Sequence, residues 1–140
     1  MPTWIWYAIF SMFFAGLTAV IAKMGLKNIP SDLGVAIRTA VVFVIVILNF
    51  FMWHKTETLK QLTPRAFLFL AISGTTTALS WIFYYRAIKT GDVSVVAIID
   101  KASIIITLAL SFWVLNEPFT WRTGAAATFI LCGLLILVWK

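Results

Sequence analysis

Five apolar runs, joined by short polar links, occupy almost the whole chain: Trp4 to Ala22, Leu33 to Trp53, Ala66 to Tyr85, Val93 to Leu115 and Phe119 to Trp139. Each holds about 20 residues, the length that crosses a bilayer core as a helix. Hydrophobic residues make up 62% of the chain and charged residues 11%, against about a half and about a quarter in a soluble domain. Water is therefore the wrong solvent for most of this surface. No strand-like alternation interrupts the runs, so the sequence predicts an all-α integral membrane protein. It would have five transmembrane helices within one domain over residues 1–140 and membrane lipid as its first partner.

One run contains what lipid does not tolerate. Asp100 and Lys101 lie well inside the fourth segment, and Arg38 lies under two turns into the second. Ionisable groups at such depth face a protein interior or a wet cavity, so the other segments must supply their surroundings. Asp100, Ser103, Thr107 and Ser111 recur at helical spacing and form a polar stripe. Ser73, Thr77, Ser80 and Tyr84 form a second stripe, with Trp81 beside it. Either stripe can line a cavity or supply hydrogen bonds between helices. Ala15, Ala19 and Ala22, near Gly16, offer a small-residue face for close helix packing.

The links carry start and stop signals. Ser31 or Asp32 can cap the second segment, Thr63-Pro64 opens the third, Asp92 caps the fourth, and Asn116-Glu117-Pro118 ends it. Trp4, Trp6 and Tyr7, and later Trp121, Arg122, Trp139 and Lys140, sit where interfacial anchors are expected. Lys23 closes the first segment, where its ammonium is expected to reach the headgroups. The first run is read as a retained helix rather than a cleaved signal peptide.

Enzyme chemistry finds little support. The one histidine, His54, falls in the longest polar link, and only five acidic residues exist. With no histidine pair, zinc motif or glycine-rich phosphate loop, no catalytic residue, metal site or cofactor is expected. The single cysteine, Cys132, reads as a packed thiol and excludes an internal disulfide. The formal charge of +6 is scattered between apolar runs, which argues against nucleic acid as a partner.

The fourth segment and its flanks carry a family likeness. Gly91-Asp92-Val93-Ser94-Val95-Val96, Ile99-Asp100-Lys101-Ala102-Ser103 and Leu115-Asn116-Glu117-Pro118 resemble the last-but-one helix of an EamA domain. Tyr84-Tyr85-Arg86-Ala87-Ile88-Lys89, together with Trp6, Gly16, Lys23 and Pro30 to Arg38, fit the same pattern. The likeness covers nearly the whole chain and points to the drug/metabolite transporter superfamily. Well-known members carry two such domains, so one domain resembles the half-size, five-helix members. The resemblance implies a prokaryotic inner-membrane, multi-pass transporter of small metabolites or drug-like solutes. Small multidrug exporters are the nearest competing class, but they rely on an acidic residue in the first helix, which is missing here. A non-transporting assembly subunit, or a component of a lipid-carrier flippase, is the alternative.

Five crossings place the end of segment 1 and the starts of segments 2 and 4 on one side of the membrane. Arg38, Asp100 and Lys101 then lie in one layer, roughly 8–12 Å deep, with Lys23 close by. Asp100 and Lys101 point about 100° apart as helix neighbours and are not expected to pair face to face. An Arg38–Asp100 contact is geometrically open. As substrate-binding or gating candidates the sequence offers Arg38, Asp100, Lys101, Ser103, Thr107, Ser80, Trp81, Tyr84 and Lys23. The same charges also fit a buried pair plus a lysine that only fix packing. Basic residues in links and ends number four on one side (Lys55, Lys60, Arg65, Arg122) and five on the other (Lys23, Lys27, Arg86, Lys89, Lys140). So even a balance sets no orientation, and an odd helix number inverts successive copies. The expected assembly is a dimer, antiparallel with dual topology, working by alternating access and secondary transport. A parallel dimer or a second half-transporter remains open.

Overall fold

The computed structural model describes residues 2–53 and 56–138. His54, Lys55, Trp139 and Lys140, read above as link and anchor residues, lie outside them. All regular secondary structure among the described residues is helical: α1 Thr3–Gly25, α2 Ser31–Trp53, a 3-10 turn at Thr56–Gln61, α3 Pro64–Thr90, α4 Val93–Lys101, α5 Ser103–Val114 and α6 Trp121–Val138. Four stretches are long and apolar enough to cross a membrane: α1, α2, α3 and the combined run Val93–Val114. The fifth, Trp121–Leu137, is apolar but shorter. The all-helical membrane architecture expected from the apolar runs is thus the architecture found.

Two compact units divide the chain, Met1–Thr90 and Gly91–Lys140. In the first, α2 and α3 pack as an antiparallel hairpin and α1 leans on α3. Local sequence sets the boundaries. Thr63 caps α3, its Oγ1 accepting the Ala66 N–H at 3.2 Å, with Pro64 in the first turn. The third helix continues past Tyr85 to Thr90, so Arg86 and Lys89 are helical rather than part of a loop. Basic residues are favoured in a last turn because they face unpaired carbonyls. The buried side chains Ala19, Leu26, Val35, Tyr85 and Ile88 all come from one end of this unit: the end of α1, the start of α2 and the end of α3. Gly34 belongs there too. A Cβ on it would lie 2.3 Å from the Leu26 Cδ2, so glycine lets the buried leucine sit against α2. Of the small-residue face, Ala19 is buried and Ala22 half-buried, whereas a Cβ on Gly16 would meet nothing.

In the second unit α4 packs against α5 and α6. The fourth apolar run is two helices, not one. At Ala102 the N–H donates to the Ile99 carbonyl and the Ala102 carbonyl accepts from Ile105, both at 3.0 Å. These three-residue bonds tighten the backbone inside the Asp100–Ser103 motif. Asp92 occupies the cap position of α4 with its backbone, and its side chain makes no capping bond. After α5, Asn116 adopts φ 53°, a left-handed conformation that asparagine tolerates better than most residues. The Leu115 and Glu117 N–H groups both return to the Ser111 carbonyl at 3.2 Å, which closes the helix. Thr120 then caps α6, accepting the Thr123 N–H at 3.2 Å. A Cβ on Gly124 would sit 2.8 Å from the Phe119 ring, so this glycine accommodates the incoming turn rather than a facing helix.

Candidate functional site

The charged side chains of the first unit gather where its core is. Lys23, in the last turn of α1, turns its ammonium onto the Ile88 carbonyl at the end of α3, with Lys89 O at 3.4 Å. Lys89, in the last turn of α3, reaches back to the Leu26 carbonyl, to Lys27 O at 3.2 Å and to Ile29 O at 3.0 Å. Two helices that end side by side thus each cap the other. Unpaired carbonyls carry the negative end of a helix dipole, and a lysine from the neighbour is the complementary charge. Alongside, Arg86 of α3 grips Asp32 of α2 with two bonds, Nε to Oδ1 at 3.1 Å and Nη2 to Oδ2 at 3.2 Å. Three helices are therefore tied together at one end of the unit. Lys23 is not the headgroup anchor that its position at the end of a run suggested, because the α3 carbonyls lie within its reach.

Above this tied end opens an apolar cleft of about 380 Å³. Its walls include Thr18, Ile21 and Leu26 from the α1 side, Ile37 and Arg38 from α2, and Tyr85 from α3. The Arg38 guanidinium lies 4.0 Å from the Trp81 ring centroid and 5.7 Å from that of Tyr85. Such stacking is favourable, more so away from water, and guanidinium suits it better than an ammonium. Within the first unit, among the described residues, Arg38 meets no carboxylate at ion-pair distance and donates to no acceptor. Sequence reasoning named Arg38 and Trp81 separately; the structure brings them together. Tyr84, one residue before Tyr85, has its ring 6.4 Å from that of Tyr85. Ser80 is exposed.

In the second unit Lys101 Nζ lies 3.6 Å from Asp100 Oδ2. The neighbours do approach each other, contrary to the angular argument, because the long lysine chain can fold back at the tightened turn. The Lys101 side chain is 71% exposed and that of Asp100 38%. Beside Lys101 lies an apolar groove between α4 and α6, lined among others by Ala97, Ile98, Phe129 and Gly133. One threonine of each stripe, Thr77 and Thr107, bonds back to its own helix, as does Thr75 outside the stripes. Thr107 donates to the Ser103 carbonyl at 3.1 Å, Thr77 to Ser73 at 2.9 Å and Thr75 to Ala71 at 2.9 Å. Such bonds satisfy a hydroxyl in hydrocarbon without a second helix, a use that the stripes' spacing does not reveal.

The sequence reading missed Asp32, Arg86, Lys89 and Tyr85 as a group. A signal for three of them was present. The start of α2 and the ends of α1 and α3 share one membrane side, so Asp32, Arg86 and Lys89 had to meet at one level. Among the described residues no cluster of His, Cys, Asp or Glu could hold a metal ion. Cys132 is exposed rather than packed.

Membrane-length helices, three of them around an apolar cleft with one charged wall, define a multi-pass membrane protein. Comparison with known families makes this specific. Residues 2–139 match the EamA-like transporter family, and the chain belongs to that family. It is 36% identical over 135 residues, 96% of either chain, to a Sinorhizobium sp. protein described as an uncharacterized transporter in the cobO 3′ region. No solved structure matches. One EamA domain therefore spans the chain, as the motifs around Asp100 implied, and family and relative point to a transporter rather than an enzyme.

Proposed function

We propose that the chain moves small organic metabolites or drug-like solutes across the inner membrane, as a dimer of copies in opposite orientation. Family membership supports transport. The observation that carries the reading is the first unit itself, tied at one end by Lys23, Lys89 and Arg86 and opening above that end into a cleft of about 380 Å³. A bundle closed at one end and accessible above it is the shape that one half of an alternating-access cycle requires. The even charge balance and odd helix number favour an antiparallel pair, with one tied end toward each membrane face. Energy coupling is secondary, and Asp100 is the carboxylate in the membrane available to a coupling proton. Arg38, Lys23, Asp100, Lys101, Ser103, Ser80, Trp81 and Tyr84 are the residues proposed to bind solute or gate its passage, while the Thr107 hydroxyl serves its own helix.

Flux into liposomes containing the purified full chain tests transport. Uptake of at least one solute class by the protein alone supports it. Activity that appears only beside a second protein would assign the chain to an assembly instead. For orientation, a cysteine added after Lys140 in a Cys132→Ser background is labelled with an impermeant thiol reagent, before and after lysis. About half of the molecules labelled from outside is the expected result for inverted copies. Labelling of all or none would end the antiparallel dimer.

A further inference from the structure

We infer that the cleft of the first unit takes a small amphipathic carboxylate, its acid group on Arg38 and its apolar body against Ile21, Leu26 and Ile37. The inference rests on the transport reading in treating this cleft as the solute's place, and it names the class of solute. Three observations carry it. First, the walls are apolar apart from Thr18 and the Arg38 and Tyr85 side chains, and the Thr18 hydroxyl already donates to the Phe14 carbonyl at 2.8 Å. A strongly polar solute such as a sugar would find too few partners there. Second, among the described residues Arg38 is the one cation lining the cleft, and the Trp81 ring meets it at 4.0 Å. Stacking covers a face of the guanidinium but consumes none of its five N–H donors, and within the first unit the described residues offer those donors no acceptor. A cation so placed in the membrane calls for an anion, and a carboxylate fits its fork with two parallel bonds. Third, about 380 Å³ lies at the small end of ligand cavities, roughly 300–1,000 Å³. A ring or short chain fits; a full lipid does not.

Arg38 already rests on Trp81 before a solute arrives. Its side chain is thereby held in one arrangement, so less conformational freedom is lost when the carboxylate docks. A lysine at this position would keep the charge but lose both the fork and the stack.

The test is equilibrium dialysis of radiolabelled 3-phenylpropionate, and of its neutral counterpart 3-phenylpropanol, against the full chain in phosphatidylcholine nanodiscs. Empty nanodiscs correct for partition into lipid. The acid should bind at least about tenfold more tightly than the alcohol. Arg38→Gln should erase that preference, and Arg38→Lys should retain only part of it. Ala22→Phe, which fills the cleft while keeping Arg38, should weaken both probes and serves should Arg38→Gln fail to fold. Equal binding of acid and alcohol by the native chain would overturn the inference, as would an acid preference that survives Arg38→Gln. Phosphatidylglycerol in the discs distinguishes the other source of anions: displacement of the acid at a few lipids per protein would assign Arg38 to a headgroup and overturn the proposal. Binding without flux in the liposome assay would support the inference while sinking the transport reading. Flux of neutral solutes with no acid binding would do the reverse.

Discussion

Replacing Lys89 by methionine removes one ammonium and leaves a side chain of similar length. Lys89 donates to three carbonyls, those of Leu26, Lys27 and Ile29, which close α1 and form its exit. Hydrogen bonds to a charged group are worth about 1.5–3 kcal/mol each in mutational series. The three share one ammonium in a half-buried place, so their sum is discounted to about 2 kcal/mol for the site as a whole. That corresponds to about a 30-fold rise in the population with the end of α1 detached. Hydrogen exchange in nanodiscs reads this population directly where exchange is limited by opening. In Lys89→Met the amides of residues 22–27 should lose about 30-fold of protection, while those in the middle of α2 stay as they were. Lys27→Met is the control. It removes a neighbouring positive charge whose ammonium makes none of these bonds, and it should change protection by less than about twofold, as exposed substitutions usually do. Unchanged protection in Lys89→Met would refute the reciprocal capping. Equal loss in both variants would show that charge near the helix end matters and the bonds do not.

Gly34→Ala should destabilise the first unit by about 1–3 kcal/mol, because its Cβ would meet Leu26 at 2.3 Å. Thermal unfolding of Gly34→Ala with Leu26→Ala should then show a smaller loss than the two single changes added together. Exchanging Asp32 and Arg86 (Asp32→Arg with Arg86→Asp) should recover part of the melting temperature lost in either single variant, the rest being lost to charges placed against the helix dipoles; no recovery at all would show that the pair's charge attraction contributes nothing. Thr107→Val should leave solute flux within about twofold, since the hydroxyl serves its own helix through Ser103. A large loss of flux would return Thr107 to the cavity wall. Asp100→Asn should abolish coupled transport while helicity is retained, and full activity in that variant would remove Asp100 from the gate.

How much of this was legible beforehand differs between backbone and site. Apolar run length locates the spans because hydrocarbon leaves the backbone few options, and Thr63-Pro64 marks the start of α3 to the residue. The EamA motifs around Asp100 identify the family from side chains whose geometry is not needed for the match. What the sequence hid lies in interactions between distant residues. Lys23 reads as an interfacial lysine until α3 is known to end beside it. The split at Ala102 leaves no mark either, since alanine is a good helix former and the tightening comes from backbone bonds. Threonines spaced along one face look alike whether they line a cavity, bridge helices or bond to their own carbonyls. Arg38 and Trp81 could each be named, but their stacking depends on how α2 and α3 are turned toward each other.

The tied end of the first unit also sets how the unit can deform. Lys23, Lys89 and Arg86 act within a few residues of one another along the helices, so they resist separation there and exert almost no torque further away. Such a unit is a set of levers sharing one fulcrum. At 1.5 Å per residue a 20-residue arm is about 30 Å long, and a tilt of about 5° at the fulcrum moves its far tip by roughly 2.5 Å. Small changes in packing beside Leu26 and Gly34 are therefore magnified at the opposite membrane face, while the tied face hardly moves.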